Sequence, residues 1–342
     1  MNRHRAHSVV WLTVTLLSLV PAYRAALAEL DLDKVLAPVI AIEARIPGHA
    51  RSAETLGTVR GGTGVVIDGA DLVLTIGYLI LEAESVELLP NGLGGRRIPA
   101  DVVAWDEITG LGLLRSRQAL GIAPMPLGSS THLGVGDAAI AVAWQRSDAL
   151  LPSVIVERRP YAGYWEYMID DALYVSPTHP GFPGAALISL DGKLAGIGGF
   201  AHTNVGDEDA ALDIVFVPID ALKPVLADLL LAGRSSQSRA WLGLYCEEFD
   251  GELRARRLPA DGPAARAGIL PGDYVLAVGK TPVKTLPDFY RLLWATVRPG
   301  ERVSVTLRRG GNRFDVDLQA MDRYEHYLPV DPRTPFETNG LR

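Results

Sequence analysis

Residues 61–68 read Gly-Gly-Thr-Gly-Val-Val-Ile-Asp, and residues 72–75 read Leu-Val-Leu-Thr. Both runs are rich in β-branched residues and are bounded by glycine or aspartate, which is typical of short strands joined by turns. Similar runs follow at residues 86–89 and 138–142. The pattern continues to Gly199 and predicts a mainly β domain.

The composition is that of an ordinary globular protein. The chain has 342 residues, of which 48% are hydrophobic and 21% are charged, and this length predicts two or three domains. The formal net charge is −7, so the chain offers no basic face of the kind that nucleic-acid binding requires.

The first 28 residues have the pattern of a cleaved signal peptide. Arg3 and Arg5 precede an apolar run over residues 9–20, and residues 26–28 (Ala-Leu-Ala) form a small-x-small cleavage site. The alternative is a membrane anchor, but the run is shorter than the ~20 residues that span a bilayer. We therefore predict a periplasmic or secreted protein.

Neither a metal site nor a cofactor is predicted. Cys246 is the single cysteine, so an internal disulfide is excluded, and the histidines are scattered without metal-ligand spacing. The two domains must therefore be stabilised by hydrophobic burial alone.

The chain divides at a small, polar stretch. Residues 29–232 form the first module and end in a predicted helix with Asp220 as its N-cap. Residues 233–240 (Gly-Arg-Ser-Ser-Gln-Ser-Arg-Ala) form a linker, residues 241–322 a second module, and residues 323–342 a polar tail expected to be loose.

The second module has four features in a fixed order: Trp-Leu-Gly-Leu at 241–244, Gly-Pro-Ala-Ala-Arg-Ala-Gly-Ile at 262–269, Pro-Gly-Asp-Tyr-Val-Leu-Ala-Val at 271–278 and a predicted helix over 286–296. In these features it resembles a PDZ domain of the kind attached to bacterial periplasmic proteases. A PDZ domain binds a peptide C-terminus beside a sheet edge and holds the carboxylate with loop amides.

The resemblance implies a peptide site in two parts. The loop that receives the carboxylate is Trp241, Leu242, Gly243 and Leu244, and the apolar helix wall is Phe289, Leu292 and Leu293. The alternative is that these apolar side chains only fill the core of the module.

Three stretches of the first module carry a candidate catalytic pattern: residues 74–80 (Leu-Thr-Ile-Gly-Tyr-Leu-Ile), 106–114 (Asp-Glu-Ile-Thr-Gly-Leu-Gly-Leu-Leu) and 180–187 (Pro-Gly-Phe-Pro-Gly-Ala-Ala-Leu). They resemble three motifs of the protease domain of the HtrA (or Deg) family of serine endopeptidases. The positions of the catalytic His, Asp and Ser are then occupied by Tyr78, Gly110 and Pro183. The resemblance thus implies a trypsin-like double β-barrel without a triad.

The resemblance also places the oxyanion hole at the amides of Gly181 and residue 183, and Pro183 has no N–H to donate. Ser176, Thr178 and His179 lie just upstream and are the candidates for a substitute site. The alternative is that these three residues line an ordinary loop.

These observations favour a pseudoprotease that binds peptide or protein C-termini through its PDZ domain as an adaptor or regulator. A homo-oligomer such as a trimer, or association with active family members, is implied by the resemblance. Two alternatives remain at this point. The chain could be an active serine-type endopeptidase with a non-standard site, or a structural subunit with a cleft closed by Tyr78, Phe182 and Pro183.

Overall fold

A computed structural model describes residues 30–69, 71–90, 92–144, 150–177, 179–202 and 213–328. The predicted signal peptide at residues 1–28 and the last part of the predicted tail lie outside these residues. Within the described ranges, no helix is long and apolar enough to cross a membrane.

The first module begins with a closed barrel of six antiparallel strands in the order β1-β2-β3-β6-β5-β4. The strands are β1 (Val39–Arg45), β2 (Val59–Asp68), β3 (Leu72–Ile76), β4 (Ser85–Leu89), β5 (Ile98–Trp105) and β6 (Leu111–Ser116). The short helices are α1 (Leu32–Leu36), α2 (Ala53–Leu56) and a 3-10 turn at Gly77–Leu79. The opening Gly-rich run is β2, whose inward residues fill the barrel with β-branched side chains.

A second closed barrel follows in the order β10-β11-β12-β9-β8-β7. Its strands are β7 (Ala138–Val142), β8 (Leu150–Gly163), β9 (Tyr167–Ser176), β10 (Ala186–Ile188), β11 (Leu194–His202) and β12 (Asp213–Pro218). Residues from both barrels belong to one apolar core, which includes Ile40, Leu74, Val142 and Val217.

The second module is an α+β domain with its own core. Its main sheet runs β14-β15-β16-β18-β19, with β17 paired to β16 and β13 paired to β20. The elements are β13 (Ala240–Trp241), β14 (Tyr245–Phe249), β15 (Glu252–Arg257), α4 (Pro263–Arg266), β16 (Tyr274–Val278), β17 (Thr281–Pro282), α5 (Leu286–Thr296), β18 (Arg302–Arg309), β19 (Asn312–Gln319) and β20 (Met321–Asp322). The predicted double β-barrel followed by a PDZ domain is confirmed.

The prediction of a helix that begins at Asp220 is wrong. A 3-10 turn occupies Ile219–Ala221, and the helix that ends the first module is α3 (Leu226–Ala232). Pro224 lacks an N–H and disfavours helix in the residue before it. The Asp220 carboxylate instead accepts a hydrogen bond from the amide of Ser130 at 2.7 Å.

The start of the predicted polar tail is packed, although the sequence predicts a loose extension there. A 3-10 turn spans Arg323–Glu325, and the side chains of Arg323 and His326 are buried. The amide of Leu328 donates to the Glu82 carboxylate of the first module at 3.0 Å. This segment therefore joins the second module to the first.

Candidate functional site

The position predicted for the catalytic His lies in the 3-10 turn after β3. The amide of Gly77 donates to the carbonyl of Gly110 at 2.7 Å, and the Tyr78 carbonyl accepts from the Arg60 guanidinium at 2.7 Å. The Tyr78 ring lies 6.1 Å from that of Phe200. Burial raises the pKa of the Tyr78 phenol above its ordinary value, so the phenol stays protonated and is a poor base at neutral pH.

The position predicted for the catalytic Asp is Gly110, which has a φ of +74°. A Cβ added there would come within 2.5 Å of the Tyr167 hydroxyl oxygen. Tyr167 donates its hydroxyl proton to the Thr109 carbonyl at 2.5 Å and is fully packed among other rings. Tyr167 therefore occupies the space that a side chain at residue 110 would need.

The position predicted for the catalytic Ser is Pro183, in a turn whose backbone is fully hydrogen-bonded around it. The Pro183 carbonyl accepts from the amide of Thr63 at 2.9 Å, and the amide of Gly184 donates to the Gly198 carbonyl at 2.8 Å. Gly184 has a φ of +77°, and a Cβ there would overlap the Thr63 carbonyl oxygen. The turn is thus tightly determined, although proline offers neither a nucleophile nor an amide proton.

The other amide predicted for the oxyanion hole already has an acceptor. Gly181 donates its N–H to Nδ1 of the buried His179 at 2.9 Å. Because Nδ1 accepts this bond, the ring proton of a neutral His179 lies on Nε2. In this arrangement neither ring nitrogen offers a free lone pair to a nucleophile.

Of the three candidates for a substitute site, only His179 is buried beside the turn. Ser176 ends β9 and is partly buried, and Thr178 lies outside the described residues. Within the described ranges, no cluster of three or more His, Cys, Asp or Glu side chains is arranged for a metal ion.

The loop predicted to receive a peptide carboxylate has converging amides, as expected from its glycine. Gly243 has a φ of +65°, which a side chain rarely adopts. The amide of Leu242 donates to one oxygen of the Glu166 carboxylate at 2.9 Å, and the amide of Leu244 donates to the other at 2.7 Å. We call residues 241–244 the carboxylate loop.

Comparison with known proteins agrees with this architecture. Residues 62–197 match the family described as a trypsin-like peptidase domain, and residues 241–319 match the PDZ domain family.

In both domains and in their order, the chain resembles the HtrA family.

Relatives in this family cover most of the chain. It is 25% identical over 301 residues to a probable periplasmic serine endoprotease DegP-like of Pseudomonas fluorescens, across 82% of this chain and 60% of that protein. A protein of the same description from Halomonas elongata is 28% identical, across 80% and 58%. The chain thus spans about three fifths of the length of these relatives.

Solved HtrA-type structures share the fold. A structure titled HtrA-type protease AlgW with tripeptide superposes with a TM-score of 0.51 and 20% identity, covering 85% of this chain and 96% of that one. The serine endoprotease from Yersinia pestis gives a TM-score of 0.50 and 22% identity, covering 86% and 98%.

An aromatic cavity of about 540 Å³ lies between the barrels and the PDZ domain. This volume lies within the range of small-molecule and peptide side-chain pockets. Phe200 stacks on Tyr161 at 5.0 Å between ring centroids, and Trp165 stacks on Tyr167 at 5.9 Å. Tyr78 and Phe182 line the cavity without closing it.

The helix wall predicted for the PDZ site is only partly directed outward. Phe289 and Leu293 are fully buried in the PDZ core, and Leu292 packs partly buried against that core. Tyr290 of this helix contacts the first module: its hydroxyl donates to the Gly163 carbonyl at 2.7 Å and accepts from the Glu166 amide at 3.1 Å.

Sequence reasoning missed Glu166 and Tyr290. One local signal was present, because the turn between β8 and β9 reads Tyr-Trp-Glu at residues 164–166 instead of the small and polar residues typical of a hairpin. An aromatic hairpin tip indicates a surface that is covered by another part of the protein.

Burial raises the pKa of the Glu166 carboxyl to about 7, against the effect of the loop amides and of Arg323. Burial likewise raises the pKa of Glu107 to about 7. Burial, with the charges of Arg51 and Arg323, lowers the pKa of His326 to about 4. The boundary between the modules therefore holds three titratable groups with shifted pKa values.

Proposed function

We propose that this protein is a catalytically inactive HtrA-family protein, an adaptor or regulator that binds peptide or protein C-termini through its PDZ domain. The observation that carries the proposal is Pro183, which stands at the nucleophile position in a turn with intact hydrogen bonds on both sides. A proline there removes the nucleophile and one oxyanion donor with a single substitution.

The expected losses in turnover favour an inactive protein. Loss of a triad costs about a million-fold in turnover in a serine protease, and loss of one oxyanion donor costs roughly 100- to 1000-fold. The remaining amide, that of Gly181, is engaged by His179. Residual catalysis by the scaffold is therefore expected to be very low.

The alternative, an endopeptidase with a non-standard site, is what the names of the relatives suggest. The imidazole of His179 lies beside the turn, and its Nδ1 accepts from the Gly181 amide. A general base needs a lone pair directed at the nucleophile, so this geometry supports the inactive assignment.

Recognition of C-termini is proposed from the carboxylate loop. Its amides converge on a carboxylate, and a solved HtrA-type relative is described with a bound tripeptide. We further propose that the protein is exported to the periplasm, as the names of its relatives indicate for them, and that it forms a homo-oligomer or associates with active family members.

The test uses the purified chain from residue 29 onward, with casein and a fluorophosphonate probe. We expect neither cleavage nor labelling. Cleavage that is abolished by Ser176→Ala or His179→Ala would show that the substitute site is active, and the proposal would then be wrong.

The recognition part has its own measurement. Peptides that end in an apolar residue should bind the chain in calorimetry, and the same peptides with an amidated C-terminus should not. Equal binding of the free and amidated forms would contradict carboxylate recognition.

A further inference from the structure

The tip of the hairpin between β8 and β9 (residues 163–168) inserts into the PDZ domain. Met168 is buried within the PDZ core, together with residues of the carboxylate loop such as Leu242 and Leu244. Glu166 at the tip has a φ of +56°, a region in which a residue with a side chain is uncommon and strained. Such strain persists only where surrounding contacts hold it, so the conformation of the tip is maintained by its contacts with the PDZ domain.

The side chain of Glu166 is bound as a carboxylate ligand. Its two oxygens accept separately from the amides of Leu242 and Leu244, at 2.9 and 2.7 Å. The residue is 4% exposed, so these bonds are shielded from water. Alternate amides of a glycine-containing loop converging on one carboxylate are the arrangement by which such loops capture a peptide C-terminus.

The backbone of Glu166 is satisfied as completely as its side chain. Its amide donates to the Tyr290 hydroxyl at 3.1 Å, and its carbonyl accepts from the Arg323 guanidinium at 3.2 Å. Tyr290 also donates to Gly163 at the base of the same tip. The PDZ helix, the carboxylate loop and the segment after β20 thus hold one residue of the first module.

The tip fills the carboxylate site but leaves the rest of the groove. β14 forms an edge of the PDZ sheet, and none of the described strands pairs with its outer side. A peptide that binds by strand addition needs that edge for its backbone and the loop for its carboxylate. That edge is unpaired among the described strands, whereas the carboxylate loop is occupied.

We propose that Glu166 is a built-in ligand of the PDZ carboxylate loop, and that a peptide C-terminus binds fully only after the hairpin tip withdraws. This inference rests on the proposed recognition of C-termini. The external ligand it implies is a chain terminus with a free carboxylate and an apolar last residue. Its apparent affinity is reduced by the fraction of molecules whose loop is vacant.

The test compares the full chain from residue 29 with Glu166→Ala and Glu166→Gln, using a panel of apolar C-terminal peptides in fluorescence polarisation. Because a tethered ligand acts at an effective concentration in the millimolar range, we expect Glu166→Ala to bind about tenfold more tightly or better. Glu166→Gln keeps the volume and one acceptor oxygen and should give a smaller gain, which maintains the test if the alanine variant folds poorly.

The matched control is Asp170→Asn. Asp170 lies on β9 close to the tip and pairs with Arg291 of α5 at 3.1 Å, but it does not contact the carboxylate loop. This variant removes another contact between the modules and should leave peptide affinity unchanged. A gain equal to that of Glu166→Ala would mean that general loosening of the interface, not the carboxylate, controls binding, and would overturn the inference.

Two further outcomes separate this inference from the proposed function. If the wild type and both Glu166 variants bind peptides with affinities within twofold of each other, recognition stands and occupation of the loop by Glu166 is irrelevant to it. If none of them binds any peptide, the proposed recognition fails. Hydrogen exchange at the amides of Leu242 and Leu244 then tests whether Glu166 is a ligand of the carboxylate loop. Faster exchange of these amides in Glu166→Ala supports that role, and unchanged exchange contradicts it.

Discussion

The two candidate sites of this chain differ in what they have kept. In the first module the backbone around Pro183 remains hydrogen-bonded, and the positions predicted for the catalytic triad hold Tyr78, Gly110 and Pro183. In the PDZ domain the carboxylate loop keeps its converging amides, but a residue of the same chain binds them. Under the two proposals, the first site keeps its backbone geometry without catalytic side chains, and the second keeps its binding loop with a ligand from the same chain.

The prediction with the largest expected effect asks whether restoring the three triad side chains is enough to restore catalysis at the first site. We predict that the triple change Tyr78→His, Gly110→Asp and Pro183→Ser stays inert toward casein and fluorophosphonate, about a million-fold below an intact triad. A side chain at residue 110 meets the Tyr167 hydroxyl.

The matched variant adds Tyr167→Ala to the triple change. This removes the clash but leaves the Gly181 amide bonded to His179, so we expect this variant to be inert as well. Labelling of residue 183 in either variant, detected by mass spectrometry, would show that the first scaffold is still organised for catalysis.

A second prediction compares the glycines that shape the two sites. Gly184→Ala places a Cβ onto the Thr63 carbonyl, and Gly243→Ala places one 3.2 Å from the Trp241 ring, both at positive φ. We expect losses in the free energy of unfolding of roughly 3 kcal/mol and about 1 kcal/mol respectively. Urea denaturation measures both, and equal losses would show that the turn at residue 184 relaxes more freely than its contacts indicate.

The third prediction concerns acid. The folded pKa of His326 is about 4, below its ordinary value of 6.5, so the folded state favours the neutral ring. The resulting stability is complete above pH 6.5 and is lost as the pH falls toward 4, by as much as about 3 kcal/mol.

His326→Gln removes this titration. The stability difference between wild type and this variant should therefore fall across that pH window. Arg51, Arg323 and Arg266 oppose protonation of the ring, while Glu82 and Asp261 favour it. His132→Gln, at an exposed position, is the matched histidine control. A flat difference for His326→Gln would contradict a lowered pKa of its ring in the folded state.

The smallest expected loss of stability concerns an ion pair at the boundary between the two modules. Asp170 and Arg291 form an exposed ion pair between the modules, and such pairs contribute between zero and about 1 kcal/mol. We expect Asp170→Asn to lower the melting temperature by less than Glu166→Ala does. A larger drop for Asp170→Asn would mean that the exposed pair, not the buried carboxylate, stabilises contact between the modules.

The sequence predicted the frame of both modules because that information is local. Strand runs bounded by turn residues predicted a mainly β first module, and the resemblance to the HtrA family implied its two barrels. The helix at 286–296 has the bounds expected from its pattern. The helix expected at Asp220 was wrong, because a distant acceptor role for its carboxylate and the break at Pro224 outweigh its capping preference.

The contacts that define the sites could not be predicted in the same way. Glu166 and Leu242 are 76 residues apart, and Tyr167 fills the space beside Gly110 from the other barrel. Periodicity and motif spacing report which face of an element is buried, not which distant side chain covers it. The engagement of Gly181 by His179 is closer in sequence, yet it depends on a turn geometry that composition does not specify.

The packed segment at residues 323–328 also changes how the PDZ domain can move. This domain is joined to the first module both through residues 233–240 and through the docked segment. The two connections lie side by side, because β13 pairs with β20. The withdrawal proposed for the hairpin tip would therefore leave the domain attached along this one paired edge.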